Sequence, residues 1–407
     1  MYSHSSKNNQ EISPNDLKEK IDKNEDIFLL DVRTPQEYNS WKISYENHKN
    51  PKLIPIDHLF VDSSNILKEI PKDKEIITVC AHGNRSLIAA KLLSQFGFNV
   101  KSVSGGMSGW NKVADIAEIP VPTQFPFQIW QLRRVAKGCI GYIIASKENK
   151  NAIVIDPSNE IGEYFLKVEK ENGLKITKII DTHQHADHVS GVSRLAMIKE
   201  SETKSKDSLA CFSSYEEYDY SKTDLNNIKY LNDGDEIYID QKNCIKAVHT
   251  PGHTNGSISF ITKCKPTDKN NPMKNYLFTG DTLFVDGIGR PDLRDQADLF
   301  AGTLYDTFHK KILQFPDDTI ILPAHFNGSS IILNHKVPIY DTLGSIKKKI
   351  KLLSMTKEEF IKNIIDTLPS RPGNYKEIIG INKKMISFDE RIMPDLEAGP
   401  NSCAISQ

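Results

Sequence analysis

Three imidazoles and a carboxylate fall within six consecutive positions of Thr182-His183-Gln184-His185-Ala186-Asp187-His188. Neutral imidazole nitrogen and carboxylate oxygen are ligands that suit zinc or ferrous iron. The apolar, β-branched run 176–180 that precedes them has the length of a buried strand, so the cluster lies where a strand ends and a loop turns. A solvated, His-rich turn is the bland alternative, and four ligand-type side chains in so short a window argue against it. The stretch reads as a metal site.

Three later turns carry further ligands. Thr250-Pro251-Gly252-His253-Thr254 offers His253, Thr279-Gly280-Asp281-Thr282 offers Asp281, and Leu322-Pro323-Ala324-His325 offers His325. Each stands just past an expected strand (244–249, 276–279 and 319–322), which is how distant loops converge on one edge of a sheet sandwich. His249, at a strand end, reads as a neighbour of the site or as structural. His309 and His335 read as ordinary surface or helix residues.

A second chemistry is offered by Cys80-Ala81-His82-Gly83-Asn84-Arg85-Ser86. The cysteine ends an expected strand, 75–80, and a helix follows about five residues later, with Leu87, Ile88, Leu92, Leu93 and Phe96 at helical spacing and Gly97 as its stop. Such a loop can turn its N–H groups inward as an anion nest at the positive end of a helix. Thiolate and persulfide anions are what that geometry stabilises, with Gly83 allowing the tight curl and Arg85 adding positive charge. A free cysteine at a strand end is more often a small buried hydrophobe, so residue type alone leaves both readings open. His82 either sets substrate preference or faces water.

The elements that must hold these groups follow from pattern. Ser13-Pro14 opens a short helix, 27–32 is a buried strand, Thr34-Pro35 opens another helix and 100–103 is a third strand. Strands alternating with helices imply a small α/β unit with a parallel sheet, residues 12–118. The proline-spaced 119–126 forms a linker. Strands are expected at 127–133, 141–145, 151–156 and 257–261, with a helix at 161–172, in a second domain over 127–345. Polar 199–208 reads as a surface loop and 263–275 as a solvated hairpin insertion. The Lys-rich, amphipathic 347–366 reads as a capping helix pair in a C-terminal helical extension and tail, 346–407.

At 407 residues the chain is too long for one ordinary core. A formal net charge of −1 argues against binding nucleic acid or a membrane surface. No apolar run approaches a membrane span, and the polar first residues lack a signal core. Six cysteines without paired spacing fit a reducing compartment, so a cytoplasmic protein is expected, one that could form a homo-oligomer.

Asp31-Val-Arg33-Thr-Pro-Gln-Glu37-Tyr38, Cys80-x-x-Gly83-x-Arg85-Ser86 and Gly105-Gly106-Met107-x-x-Trp110 together resemble a single-domain rhodanese. That resemblance implies that Cys80 carries sulfane sulfur as a persulfide, with Arg85 in support and Ala81, His82, Gly83, Asn84 and Ser86 forming its loop. Ser40-Trp-Lys-Ile-Ser-Tyr departs from the family's pattern at the edge of the active-site wall. The set His183-x-His185-x-Asp187-His188, His253, Asp281 and His325 resembles the metallo-β-lactamase superfamily. It implies an αββα sandwich of two mixed sheets with the metal at its edge.

Two reactions stay open on these ligands. Two zinc ions, with His183, His185 and His253 on one, Asp187, His188 and His325 on the other and Asp281 bridging, would make a thioester hydrolase resembling hydroxyacylglutathione hydrolase. Alternatively His183, His253 and Asp281 hold one Fe(2+), with His185, Asp187, His188 and His325 around them. Gly287-Ile-Gly289-Arg290-Pro-Asp292-Leu293, Pro369-x-Arg-Pro372-x-Asn374-Tyr375 and Gly399-Pro-Asn-Ser-Cys403-Ala resemble the persulfide dioxygenase (sulfur dioxygenase) branch. That branch implies oxidation of a low-molecular-weight thiol persulfide by O2 and water to sulfite and thiol. A rhodanese exchanging sulfur among persulfide, sulfite and thiosulfate gives the fusion a chemical reason. Arg290 is a candidate substrate contact, with an ion pair to Asp292 as the structural alternative. A non-catalytic sulfur sensor or carrier is the reading from another class.

Overall fold

The computed structural model describes residues 10–48, 50–61, 63–203, 209–219, 225, 227–264, 273–293, 295–327, 331–371, 373–384, 389, 392–401 and 403–406. The N-terminal unit is a five-stranded sheet in the order β1 (Glu11–Ile12), β5 (Val100–Val103), β4 (Glu75–Val79), β2 (Ile27–Asp31), β3 (Lys52–Leu53), parallel throughout. Local signals set its helices. Ser13 caps Pro14–Asp22 by accepting the Asp16 N–H, and Thr34 with Glu37 forms a reciprocal capping box on Pro35–Ser40.

The second unit stacks two mixed sheets. One runs β12 (Ile228–Leu231), β11 (Leu209–Ser213), β10 (Lys175–Ile180), β9 (Asn151–Ile155), β8 (Ile140–Ser146), β7 (Phe127–Arg134), β6 (Ala114–Glu118). The other runs β13 (Glu236–Tyr238), β14 (Cys244–His249), β15 (Ile258–Lys263), β16 (Tyr276–Gly280), β18 (Ile320–Pro323), β19 (Asp341–Thr342). Alternation explains the layering. Ile144, Ile153 and Ile180 face the second sheet's Phe260, Leu277 and Ile321, while Ile143, Val154 and Ile179 face Phe165 and Leu195 of outer helices. On the far side, helix Ala297–Lys310 meets helix Lys357–Thr367, with Phe308 and Phe360 ring centroids 6.2 Å apart.

Three features differ from the sequence expectations. The stretch 114–118, assigned by pattern to the first unit, is β6, the antiparallel edge of the seven-stranded sheet. Lys199 is not in a loop: helix Val192–Thr203 carries it, and its ammonium bonds Glu169 and Glu202, which explains a polar last turn. Positions 204–208, and 265–272 of the expected insertion, lie outside the described residues. His335 is half-buried rather than an ordinary surface residue, with Nδ1 2.7 Å from Asp115 Oδ1.

Asp115 is fully buried at the junction of the two units. It accepts Lys18 Nζ at 2.7 Å and the Arg133 guanidinium, so one carboxylate ties the first helix to β7. The C-terminal tail returns as β20 (Ala404–Ser406), antiparallel to β17 (Gly287–Gly289) beside the ligand-bearing edge. No helix among the described residues is long and apolar enough to cross a membrane.

Candidate active site

The strands end at one edge and deliver the ligand-bearing turns together. His183 Nε2 and His253 Nε2 each stand 3.6 Å from Asp281 Oδ2. All three atoms are buried and without a hydrogen-bond partner, so they face one another across an unshared space. Ligands about 2.1 Å from one ion would sit about 3–3.5 Å apart, close to this spacing. Two imidazoles and one carboxylate therefore fit a metal ion here.

Neighbouring groups fix the orientation of each. The Thr182 hydroxyl donates to Asp156 at 2.8 Å and so accepts from His183 Nδ1 at 2.9 Å, leaving the Nε2 lone pair turned inward. His253 Nδ1 donates to the Arg290 carbonyl at 2.8 Å with the same result. Burial lowers the His253 pKa to about 4, which keeps the imidazole neutral. Burial alone would raise the Asp281 carboxyl, but His325 and His183 hold it well below the usual carboxylate range. Gly289 is required by packing: a Cβ there would meet the Asp281 carbonyl oxygen at 1.8 Å.

The other ligand-type residues group differently. His185 Nε2 turns to Asp156 (3.4 Å) and Asp181 (3.6 Å), and not to the His183–His253–Asp281 space. His325 links two carboxylates, with Nδ1 2.5 Å from Asp281 Oδ1 and Nε2 2.9 Å from Asp187 Oδ2. Asp187 also meets His188 Nδ1 at 2.9 Å. Cys139 joins this second group, its Sγ 3.5 Å from His188 Nδ1. Burial raises the Cys139 thiol, but His188 and His325 together bring the pKa down to about 7. Nothing in the sequence marked Cys139, which stands just before β8 without a motif of its own. Nor did it mark Asn382, whose amide donates to the carbonyls of both His185 and His188.

Arg290 is buried, with its guanidinium bonded to Asp292 and to the carbonyls of Pro369 and Ser370. This favours the structural ion pair over a substrate contact. His249 lies elsewhere, stacked on Tyr215 and bonded to the Asn255 carbonyl.

In the N-terminal unit, Cys80 Sγ accepts the Gly83 N–H at 3.1 Å and lies 3.3 Å from the Ser86 hydroxyl, at the start of helix Asn84–Gln95. Gly106, at φ +57°, lets the next loop close over it: a Cβ would meet the Cys80 carbonyl at 2.3 Å. Arg85 pairs with Glu37 at 2.5 and 2.9 Å, and the guanidinium lowers the Glu37 carboxyl to about 2. His82 is exposed and meets Ser108 at 3.0 Å.

Comparison with known proteins agrees with this division. Residues 13–113 match the rhodanese-like domain and residues 138–325 the metallo-beta-lactamase superfamily. The chain is similar to mitochondrial persulfide dioxygenase ETHE1 of Mus musculus, 28% identical over 228 residues, covering 56% of this chain and 76% of that protein. It is also similar to hydroxyacylglutathione hydrolase of Tolumonas auensis, 30% identical over 265 residues, covering 63% and 84%. Among solved structures, a metallo-beta-lactamase from Staphylococcus aureus subsp. aureus COL aligns with TM-score 0.55 at 28% identity, covering 64% of this chain and 73% of that one. ETHE1 from Myxococcus xanthus aligns with TM-score 0.50 at 25% identity, covering 64% and 99%. With its rhodanese-like N-terminal unit, buried ligand trio and sandwich fold, the chain belongs to the metallo-beta-lactamase superfamily.

Proposed function

We propose that this protein is a persulfide dioxygenase with a single ferrous ion, coupled to sulfur exchange at Cys80. The overall reaction takes a low-molecular-weight thiol persulfide, O2 and water to thiol and sulfite. The observation that carries this reading is the turn of His185 away from the ligand space toward Asp156 and Asp181. It leaves two imidazoles and one carboxylate, the donor set that suits ferrous iron with open positions. A ferrous ion held by His183, His253 and Asp281 would supply the redox chemistry between a sulfur anion and dioxygen.

The chain's own residues do the rest. Thr182 and the Arg290 carbonyl hold both imidazoles in the ligating tautomer, and His325 steadies the Asp281 carboxylate. The buried surround excludes water, which keeps a reactive sulfur anion from side reactions. At the other site, the Gly83 N–H and the Ser86 hydroxyl stabilise the Cys80 sulfur anion. The cysteines are free, in keeping with a reducing, cytoplasmic setting.

A dinuclear zinc thioester hydrolase is the second reading, favoured by the Cys139–Asp187–His188–His325 group and by the hydroxyacylglutathione hydrolase relatives. Metal analysis of anaerobically purified protein, with oxygen uptake on a defined persulfide, separates the two. About one iron per chain with stoichiometric oxygen consumption is expected. Zinc-filled protein that cleaves thioesters and consumes no oxygen would overturn the dioxygenase.

A further inference from the structure

The pocket in front of the Cys80 loop is not built by the N-terminal unit alone. It encloses about 330 Å³, with Arg33, Trp41, His82 and Met107 on one side. The C-terminal tail completes its lining with Asp395, Ala398, Gly399 and Pro400. Asp395 Oδ1 stands 3.5 Å from His82 Nε2, in the loop itself. The tail is anchored where it passes. Glu397 is fully buried, receives the Val189 N–H at 2.6 Å and pairs with Arg134, and its carbonyl accepts the Asn111 amide at 3.4 Å.

The charges facing this pocket do not cancel. Arg33 is bonded to Asp31 and Arg85 to Glu37, so each cation already has its own carboxylate. Among the ion pairs of the described residues Asp395 meets no lysine or arginine, so its carboxylate is the charge at this rim that no guanidinium offsets. An acceptor with a carboxylate at its far end would be disfavoured at this rim, whereas one with an ammonium group would be attracted.

We propose that the C-terminal tail is the specificity wall of the Cys80 pocket, and that Asp395 makes the pocket select organic thiols carrying an amino group over anionic ones. The inference rests on the reading of Cys80 as a sulfur carrier. Cys80 thiolate attacks the outer sulfur of a donor such as thiosulfate, and sulfite leaves with the electron pair of the broken S–S bond. An acceptor thiolate then attacks the outer sulfur of the Cys80 persulfide. A new S–S bond forms, the bond to Cys80 breaks, and its electron pair stays on Sγ as the regenerated thiolate. Asp395 touches neither step and acts on the far end of the acceptor.

The test uses the full-length protein, saturating thiosulfate as donor, and three small acceptors differing in charge: cysteamine, 2-mercaptoethanol and mercaptoacetate. The quantity compared is kcat/KM of Asp395→Asn over that of the native protein, so that intrinsic thiol reactivity divides out. Relative to 2-mercaptoethanol, mercaptoacetate should gain about fivefold and cysteamine lose about fivefold, as for one unit charge a few ångströms away in water. Both shifts should collapse in about 1 M salt, where screening acts within about 3 Å. A uniform response of all three acceptors, or no response, overturns the specificity wall. Cys80→Ser tests the underlying reading separately: sulfur exchange surviving in that variant would remove the carrier itself, whatever Asp395→Asn does.

Discussion

The Cys80 loop and the metal centre solve opposite problems of assembly. The loop gathers its chemistry from seven neighbouring residues, 80–86, and turns it toward a pocket open to solvent. The metal centre gathers three ligand atoms from three turns of distant sequence, and every one of them is buried. A contiguous loop needs one strand end and one helix start to be right. A dispersed centre needs both sheets in register, so its ligands depend on groups such as Thr182 and His325 to hold them. The first is tuned by what lies opposite it, the second by what lies behind it.

The largest effects should come from separating the two. His183→Ala should lower persulfide-dependent oxygen uptake about a thousandfold, the several kcal/mol a metal centre supplies, while sulfur exchange from thiosulfate stays within about twofold. Cys80→Ser should do the reverse. If either substitution depresses both activities equally, the sites act as one and the contrast fails. Thr182→Val sharpens it, since it removes the acceptor of the His183 Nδ1 proton while leaving the ligand in place. A loss of about 10–100-fold in metal affinity is expected, measured by competition with a chelator; native affinity would show that the imidazole needs no such support.

The smallest effect concerns the loop's own ion pair. Arg85 holds the Glu37 carboxyl at about 2, below its unfolded value near 4.5. A depressed carboxyl contributes stability that is present above the unfolded pKa and is lost as pH falls through the folded one. Native protein should therefore be more stable than Glu37→Gln above pH 5 by no more than about 1 kcal/mol, because the pair is partly exposed. In thermal melts that gap should close as pH falls toward 2; a gap constant with pH would show that the pair contributes nothing through charge.

The same contrast explains what could be read from the sequence. The Cys80 loop, its strand and its helix were legible because all their signals are local: a β-branched run, a glycine and helical spacing. The candidate ligands were legible as residue types placed after strands, and the structure brings His183, His253 and Asp281 together. Which imidazole faces which was not, because His185 is oriented by Asp156 and Asp181, at the ends of two neighbouring parallel strands. Cys139, Asn382 and Glu397 approach the centre only after the chain has folded, so no spacing announces them. Ala114–Glu118 is too short for its alternation to say which sheet it joins, and Lys199 appears loop-like because its helix ends in charge. His335 gained significance only from Asp115, which lies far from it in sequence.

The strand β6 carries a further consequence. It supplies the outermost rung of a sheet that otherwise belongs to the domain after it. A shortened protein beginning at Ile119 would leave the amide row of β7 bare, a ready template for pairing with another copy of itself. A cut at the prolines would therefore leave β6 stranded on the N-terminal half and turn β7 into the edge of the other.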